Sequence, residues 1–487
     1  MSLVTYNALK LLGKAYELKT DTDIEMFDDL WEVYQVGNKY RRDNKKALQD
    51  EVERSYSTLT EIIRKTNQNP RGGFRRVGTA QNTNLVIFSD QHMTHRGHRH
   101  DYFFNFNFKL YCDVLRHYAD RGFALVENGD LEELLIFDPT PGEAERRRKL
   151  VRKPWGIDDI GEINWDELVG VRIETRRKQL ENILNDNSAY YKLVKDSFGK
   201  SRYYKIAGNH DGYYSAEMEG MIEAELWDGV VKDVLLVERK TNNKVDLDFV
   251  ITHGHQFDES CAPPHAKAVG EVISECLSWA FQGPDRIWRV SDTHKWNSNP
   301  VKEFSNVLSS ESATTTGHPD LEVILEAFMG HEVAWEYFEN EDPYMAFVKE
   351  VCTGDEFFKY RHMNEDALAN AILRLNPDLE DFPTVICGHT HEPRDRSKFH
   401  NSTNRVPPDT DDRNLFTRYM NTGSAGRFEN LIWCIEITGS KAKIYSWSNS
   451  GTEGNPVMKK VRWKSDDEGK LIGREVEFSQ RARAEGQ

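Results

Sequence analysis

The chain has 487 residues, of which 38% are hydrophobic and 30% are charged. This balance allows a sizeable core and argues against wholesale disorder, and the length predicts two to three structural units at roughly 150 residues per domain. Acidic residues number 80 against 64 basic ones, which gives a formal net charge of −16. That excess argues against a general nucleic-acid coat, because such a protein needs a basic face.

The chain contains no run of about 18 apolar residues, so we expect no membrane span. Its first residues lack the apolar stretch of a secretory signal. The six cysteines are scattered and form no Cys-x-x-Cys pair. These features predict a cytoplasmic protein with neither a disulfide framework nor a thiolate zinc site. The sequence leaves the oligomeric state open.

Residues 1–80 are polar and carry helical periodicity, with a charged helix predicted from Asp43 to Ile63. A cluster of helix-breaking residues, 69–73 (Asn-Pro-Arg-Gly-Gly), follows this segment. We therefore expect residues 1–80 to form a helical N-terminal extension, whose role the sequence does not reveal.

After residue 80 the pattern changes to short, continuous apolar runs, each followed directly by polar residues. The runs are 85–88, 123–126, 203–207, 249–252 and 384–387, and they lead into Ser-Asp-Gln-His, Glu-Asn-Gly-Asp, Gly-Asn-His-Asp, His-Gly-His and Gly-His-Thr-His. Such runs are typical of buried strands, and ligands collect outside the carboxyl ends of strands in open α/β sheets. The sequence therefore predicts that these polar residues converge on one place.

The rest of the chain can be divided around these strands. Helices are predicted over 103–121 and 172–195, the latter within an insertion at about 135–200. We expect the core to occupy 81–257 and 381–464, with strands of a second sheet near 418–421, 431–437 and 443–447. A helical insertion is predicted over 258–380, because a structureless loop of that length is improbable in a compact domain. Residues 465–487 are charged and are expected to be a loosely held tail.

Five motifs together resemble a known family. The set is Asp90-x-His92, Gly129-Asp130, Gly208-Asn209-His210-Asp211, His253-Gly254-His255 and Gly388-His389-Thr390-His391. In this order it resembles the motif blocks of the calcineurin-like metallophosphoesterase superfamily, and Asn-Thr-Gly-Ser at 421–424 is similar to a turn common after the last block. The likeness spans about 90 to 391 and does not cover residues 1–80 or the two insertions. It implies an α/β fold, a four-layer α/β/β/α sandwich of the metallophosphoesterase type, with the helical extension and insertions added.

The resemblance also implies a dinuclear metal centre. By the family pattern, Asp130 bridges two divalent metal ions, Asp90, His92 and His391 complete one site, and Asn209, His253 and His389 complete the other. Oxygen and imidazole ligands suit Mn, Fe, Zn, Co or Ni, and so many imidazoles disfavour an all-oxygen magnesium or calcium site. The sequence does not choose among these metals, and we expect Mn²⁺ to support activity best.

The residue after the ligand asparagine is free for proton transfer. The family pattern makes His210 the acid on the leaving group, while a metal-bridging hydroxide attacks the phosphorus. A neighbouring carboxylate would orient such a histidine and raise its pKa. Asp211 is the candidate for that role in the sequence.

Departures from subfamily patterns narrow the function. Residues 131–134 and Asp211 differ from the pattern of the superfamily's protein Ser/Thr phosphatases, and Gly-Asp-Leu-x-Glu is closer to bacterial pyrophosphatases that act on UDP-diacylglucosamine. We expect hydrolysis of a mono- or diester of small or medium size. We also expect deletion of 258–380 to change substrate preference more than metal binding. A nuclease on the same core is an alternative that the negative charge disfavours, and a catalytically silent scaffold is another.

Overall fold

The computed structural model describes residues 46–66, 69–71, 73–95, 107–135, 155–156, 159–160, 173–212, 215–242, 244–258, 261, 383–391, 393–395, 419–426, 430–452, 455–465 and 471–476. This part of the chain has a mixed α/β fold with two mixed sheets. The predicted insertion at 258–380 lies outside the described residues, except for Asp258 and Cys261.

The strands are numbered in chain order. They are β1 (Val77–Gln81), β2 (Leu85–Phe88), β3 (Ala124–Asn128), β4 (Trp155–Gly156), β5 (Asp159–Ile160), β6 (Tyr203–Ile206), β7 (Val231–Lys232), β8 (Val234–Thr241), β9 (Lys244–Ile251), β10 (Thr384–Cys387), β11 (Pro393–Arg394), β12 (Tyr419–Thr422), β13 (Ile432–Thr438), β14 (Lys441–Thr452), β15 (Asn455–Ser465) and β16 (Leu471–Glu475). A six-stranded sheet has the order β1-β8-β9-β10-β12-β11, and an eight-stranded sheet has the order β16-β15-β14-β13-β2-β3-β6-β7. Strands β4 and β5 pair only with each other among the described residues.

Five described α-helices accompany the sheets. They are α1 (46–63), α2 (Phe108–Asp120), α3 (Ile173–Asp186), α4 (Ser188–Ser197) and α5 (Ala216–Glu225). Helix α5 begins after Ser215, whose hydroxyl accepts a hydrogen bond from the Met218 amide at 3.3 Å, which satisfies one of the free N–H groups at the helix start. Short 3-10 helices cover Lys200–Arg202 and His255–Phe257.

Parallel pairing brings the strand ends of interest together. In the eight-stranded sheet, β2 pairs in parallel with β3, and β3 pairs in parallel with β6. In the six-stranded sheet, β9 and β10 are parallel neighbours. Since parallel neighbours have their carboxyl ends at the same edge, each sheet presents a set of polar strand ends side by side.

Strand residues alternate between two apolar environments. Leu85 and Ile87 of β2 contact the cluster between the two sheets, whereas Val86 and Phe88 contact the cluster under α2–α5. In the six-stranded sheet, Leu235 faces the other sheet, and its neighbours point toward α1. This alternation is why the apolar runs are continuous: each strand is covered on both faces.

The five strands predicted from apolar runs are confirmed by β2, β3, β6, β9 and β10. Within the described part of the N-terminal region, β1 crosses residue 80 and pairs with β8, and α1 packs on the six-stranded sheet. Strand β12 pairs with β10, so it belongs to the same sheet as the last motif rather than to the sheet of β13 and β14. Strand β16 lies inside the segment predicted to be a loosely held tail, and it pairs with β15. Among the described helices, none combines the length and apolar character needed to cross a bilayer.

Candidate metal centre

The loops after the strands hold polar residues in a strained backbone conformation. Five of the predicted ligands have left-handed φ angles, namely Asp90 (56°), His92 (50°), Asp130 (55°), His389 (71°) and His391 (62°). Non-glycine residues rarely adopt this conformation, and it persists only where surrounding contacts enforce it. Strain of this kind clusters at functional sites, so its concentration on these residues makes the region a candidate site.

Glycines allow the loops to approach one another. A Cβ atom on Gly208 would overlap the carboxylate of Asp130, and one on Gly388 would overlap Ser89. These glycines are therefore required by close approach of two chain segments rather than by turn geometry.

A first ligand group consists of Asp90, His92 and His391. The two imidazoles face each other with their Nε2 atoms 3.1 Å apart, and Asp90 Oδ1 lies 3.2 Å from His391 Nε2. Asp90 is fully buried, and its carboxylate also accepts the backbone N–H of His389 at 3.1 Å. One ligand atom from each of the three residues lies within 4.8 Å of the others, a spacing that can hold a metal ion.

A second ligand group consists of Asn209, His253 and His389. The Asn209 side-chain oxygen lies 3.1 Å from His253 Nε2 and 3.0 Å from His389 Nδ1. The group thus brings together one amide oxygen and two imidazole nitrogens, which are atom types that can coordinate a cation.

Asp130 lies between the two groups. Its Oδ2 atom is 3.1 Å from His253 Nε2 in the second group and 4.0 Å from His92 Nε2 in the first. Its Oδ1 atom accepts the backbone N–H of His210 at 2.8 Å, which fixes the orientation of the carboxylate. One oxygen of Asp130 therefore faces both ligand groups.

The outer nitrogen of three site histidines is held by an acceptor. His92 Nδ1 lies 2.9 Å from Glu133 Oε2, His253 Nδ1 lies 2.8 Å from the backbone oxygen of Asn128, and His389 Nε2 lies 2.9 Å from Asp258 Oδ2. If each outer nitrogen donates its proton to that acceptor, the lone pair stays on the inner nitrogen. This is the tautomer that a metal ligand needs.

The charges of the site are mutually stabilising. Burial would raise the pKa of Asp130, but His253 and His210 outweigh it and hold that pKa well below its ordinary value. Burial would lower the pKa of His253, whereas the charges of Asp130 and Asp90 raise it to about 9. For Asp90, the effect of His391 and His253 exceeds the opposing effect of burial, and its pKa is lowered. Both aspartates are thus carboxylates at neutral pH, as cation binding requires.

His210 sits beside the ligands and pairs with Glu133. Its Nδ1 lies 2.9 Å from Glu133 Oε1, and about 16% of its side chain is exposed, against 1% for Glu133. Burial lowers the pKa of His210, but the charges of Glu133 and Asp130 raise it to about 9. His210 therefore holds a proton at neutral pH, next to the ligand groups.

The prediction that Asp211 orients His210 is corrected by these contacts. The Asp211 carboxylate accepts the backbone N–H groups of Gly208, Asp130 and Leu131 at 2.6–3.2 Å. It also pairs with Lys205 at 3.0 Å. The physical reason is that the strained turn at Asp130 has free amides which compete for the carboxylate. Asp211 therefore supports the backbone of Asp130, and Glu133 orients His210.

Lys205 lies beneath this turn in a fully buried charge network. Its ammonium lies 2.5 Å from Glu132 and 3.0 Å from Asp211, and all three side chains are fully buried. Glu132 also accepts a hydrogen bond from the Tyr191 hydroxyl at 2.8 Å. Burial lowers the pKa of Lys205, but the carboxylates of Asp211 and Glu132 raise it above its ordinary value, so the lysine is charged and offsets part of their negative charge.

The structure brings the predicted site residues together from the ends of five strands: Asp90, His92, Asp130, Asn209, His210, Asp211, His253, His389 and His391. The sequence did not predict two residues that contact the site histidines, Glu133 and Asp258. Glu133 belongs to the Gly-Asp-Leu-x-Glu stretch, and that spacing was the available signal. No sequence motif pointed to Asp258, because it stands at the start of the predicted insertion.

Comparison with family models, curated proteins and solved structures found no match for this chain.

Proposed function

We propose that the protein is a dinuclear metal-dependent phosphoesterase of the calcineurin-like metallophosphoesterase type. The observation that carries the proposal is the position of Asp130, whose one oxygen faces both ligand groups. A bridging carboxylate is what a pair of divalent cations about 3.5–4 Å apart requires. The layering of α1, the six-stranded sheet, the eight-stranded sheet and α2–α5 further supports a four-layer α/β/β/α sandwich of that type.

The residues suit divalent cations. The first ligand group with Asp130 would hold one ion, and the second group with Asp130 would hold the other. The donors are carboxylate, amide and imidazole, which fit Mn, Fe, Zn, Co or Ni, and we expect Mn²⁺ to serve best. When bound, the two cations would lower the pKa of the attacking water and neutralise phosphate oxygens.

The chain's own residues would donate the proton and position the groups of the site. His210 holds a proton beside the ligand groups, so it can donate that proton to the leaving-group oxygen as the ester bond breaks. Glu133 keeps Nδ1 occupied, which leaves Nε2 of His210 as the donating atom. Asp211 holds the turn that presents Asp130.

The test uses protein stripped with EDTA and reloaded with Mn²⁺. It is incubated with p-nitrophenyl phosphate, bis-p-nitrophenyl phosphate and single-stranded DNA. We expect Mn²⁺-dependent turnover of the small esters, which Asp130→Asn abolishes and Gly220→Ala on the exposed face of α5 preserves. Cleavage of DNA would instead indicate a nuclease. Silence with each of the five metals would indicate a scaffold, and would overturn the proposal.

A further inference from the structure

Asp258 is a carboxylate that the predicted ligand set does not include. It follows the 3-10 helix His255–Phe257, and its backbone N–H donates to the His255 oxygen at 3.2 Å. Its Oδ2 atom lies 2.9 Å from His389 Nε2, while a third of its side chain stays exposed. The opposite ring nitrogen of His389 is the one that faces Asn209.

We propose that Asp258 is the positioning residue of His389 and thereby sets the affinity of the second ligand group for its cation. The inference rests on the proposed dinuclear centre. Asp258 accepts the Nε2–H of His389, which leaves the lone pair on Nδ1 and holds the ring in the plane that a cation needs. It acts through the histidine and contacts neither the cation nor the substrate.

His389 differs from His253 and His92 in the acceptor that holds its outer nitrogen. His253 is fully buried and held by a backbone carbonyl, and His92 is held by the buried Glu133. The His389 side chain is 11% exposed, as is that of His92, but its acceptor Asp258 is 33% exposed, whereas Glu133 is 1% exposed. Without an acceptor at Nε2, the ring can rotate about its Cβ–Cγ bond and exchange its tautomer, and both changes disfavour metal binding.

The turn that carries Asp258 is fixed by the apolar core. Phe257, which precedes it, is buried and packs its ring 5.2 Å from Tyr56 of α1 and 5.8 Å from Phe74. The backbone N–H of Phe257 also donates to Gly254 at 3.0 Å. Asp258 is therefore presented to His389 by a rigid support, although it stands at the point where the chain enters the 262–382 segment.

Cys261 makes it possible to distinguish Asp258 as a positioning residue from Asp258 as a ligand of a separate cation. Ligand atoms of Asp258, Cys261 and His389 lie within 4.8 Å of one another, a spacing that would also suit a separate cation. Such a cation would have a thiolate ligand, whereas the two ligand groups and Asp130 contain none. Co²⁺ bound by a thiolate shows a charge-transfer band in the near ultraviolet, so the two arrangements differ spectroscopically.

The experiment titrates metal-free protein with Co²⁺ by equilibrium dialysis and records absorption spectra and hydrolysis of bis-p-nitrophenyl phosphate. We expect the wild type to bind two Co²⁺ ions. Asp258→Ala should weaken one of them roughly 10- to 100-fold and leave the other unchanged. Saturating Co²⁺ should restore most of its kcat. Asp258→Asn, whose amide oxygen can still accept a hydrogen bond, should lose less Co²⁺ affinity. Cys261→Ser should match the wild type in Co²⁺ affinity and in its absorption spectrum. Asp248 lies on β9 and forms an ion pair with Arg239 of β8, and Asp248→Asn is the matched control.

The outcomes separate the two proposals. If the wild type binds no Co²⁺, the proposed dinuclear centre and the proposed role of Asp258 are both refuted. If it binds two ions and Asp258→Ala binds both equally tightly, only the role of Asp258 falls. A third Co²⁺ ion with a thiolate band that disappears in Cys261→Ser would make Asp258 a direct ligand, and would also overturn the inference.

Discussion

Glu133 and His210 form a carboxylate–imidazole pair, with Glu133 Oε1 2.9 Å from His210 Nδ1. The other oxygen of the same carboxylate reaches His92 Nδ1 at 2.9 Å, so one buried side chain connects the proton-holding histidine to a ligand histidine. The Leu135 backbone N–H donates to Glu133 at 2.8 Å and fixes its position. In the proposed function, the pair would connect proton transfer to the metal centre through a single residue.

This pair should act as a unit in catalysis. We expect His210→Asn to lower kcat by about 10²–10⁴-fold while metal content stays near wild type, because in the proposed function His210 donates a proton and is not a metal ligand. Glu133→Gln should lower kcat roughly 10- to 100-fold, since a neutral amide holds the ring less firmly. The double variant should be no slower than His210→Asn alone. Steady-state kinetics at saturating Mn²⁺, with metal analysis, measures this, and additive losses would contradict it.

Gly208 should be intolerant of any side chain. Because a Cβ atom there would overlap the Asp130 carboxylate, Gly208→Ala should displace that carboxylate and weaken metal binding while the strands remain folded. Gly220→Ala is the matched control, since nothing lies near its added Cβ, and alanine in a helix should stabilise by about 0.5–1 kcal/mol. Metal titration and circular dichroism make the comparison. Wild-type metal affinity in Gly208→Ala would rule out the close approach.

Lys205 should be essential for stability. Lys205→Met leaves Glu132 and Asp211 buried without a counter-charge, and we expect unfolding to become easier by about 3–5 kcal/mol. Lys192→Met removes an exposed pair with Asp196 and should have no measurable effect. Chemical denaturation of the two variants provides the measurement. A stable Lys205→Met protein would show that the network is not charged as described.

Glu127 should make stability depend on pH. It is fully buried, accepts hydrogen bonds from the hydroxyls of Tyr111 and Tyr190 at 2.6–2.7 Å, and burial raises its pKa from 4.5 to about 7. The folded protein therefore binds this proton more tightly than the unfolded chain. The resulting stability is fully present below about pH 4.5 and is lost as pH rises through about 7.

Glu127→Gln removes this titrating group. The difference in free energy of unfolding between wild type and Glu127→Gln should therefore shift against the wild type as pH rises from 5 to 8. Denaturation in EDTA at a series of pH values measures the difference without interference from metal binding. A difference that stays constant with pH would mean that Glu127 does not titrate in this window.

The parts of the fold that local pattern determines could be predicted from the sequence. Strands β2, β3, β6, β9 and β10 are continuous apolar runs because both faces are covered, and each motif follows its strand directly. Convergence of the ligands followed from parallel pairing of those strands. The rest depends on contacts between distant segments, which no local pattern encodes.

Residues whose roles depend on such contacts were misjudged or missed. Asp211 is adjacent to His210 in sequence, yet the free amides of a strained turn take its carboxylate. Glu133 reaches His210 only because its segment bridges to the first motif, with Met93 paired to Glu132. Strand β1 spans residue 80, and it adds to the edge of a sheet whose other strands lie far along the chain.

Electron paramagnetic resonance of Mn²⁺-loaded protein tests most directly whether Asp130 joins two bound cations. Wild type should bind about two Mn²⁺ ions and give the spectrum of an exchange-coupled pair, and Asp130→Asn should lose that coupling. A wild-type spectrum of isolated Mn²⁺, or of none bound, would contradict the claim.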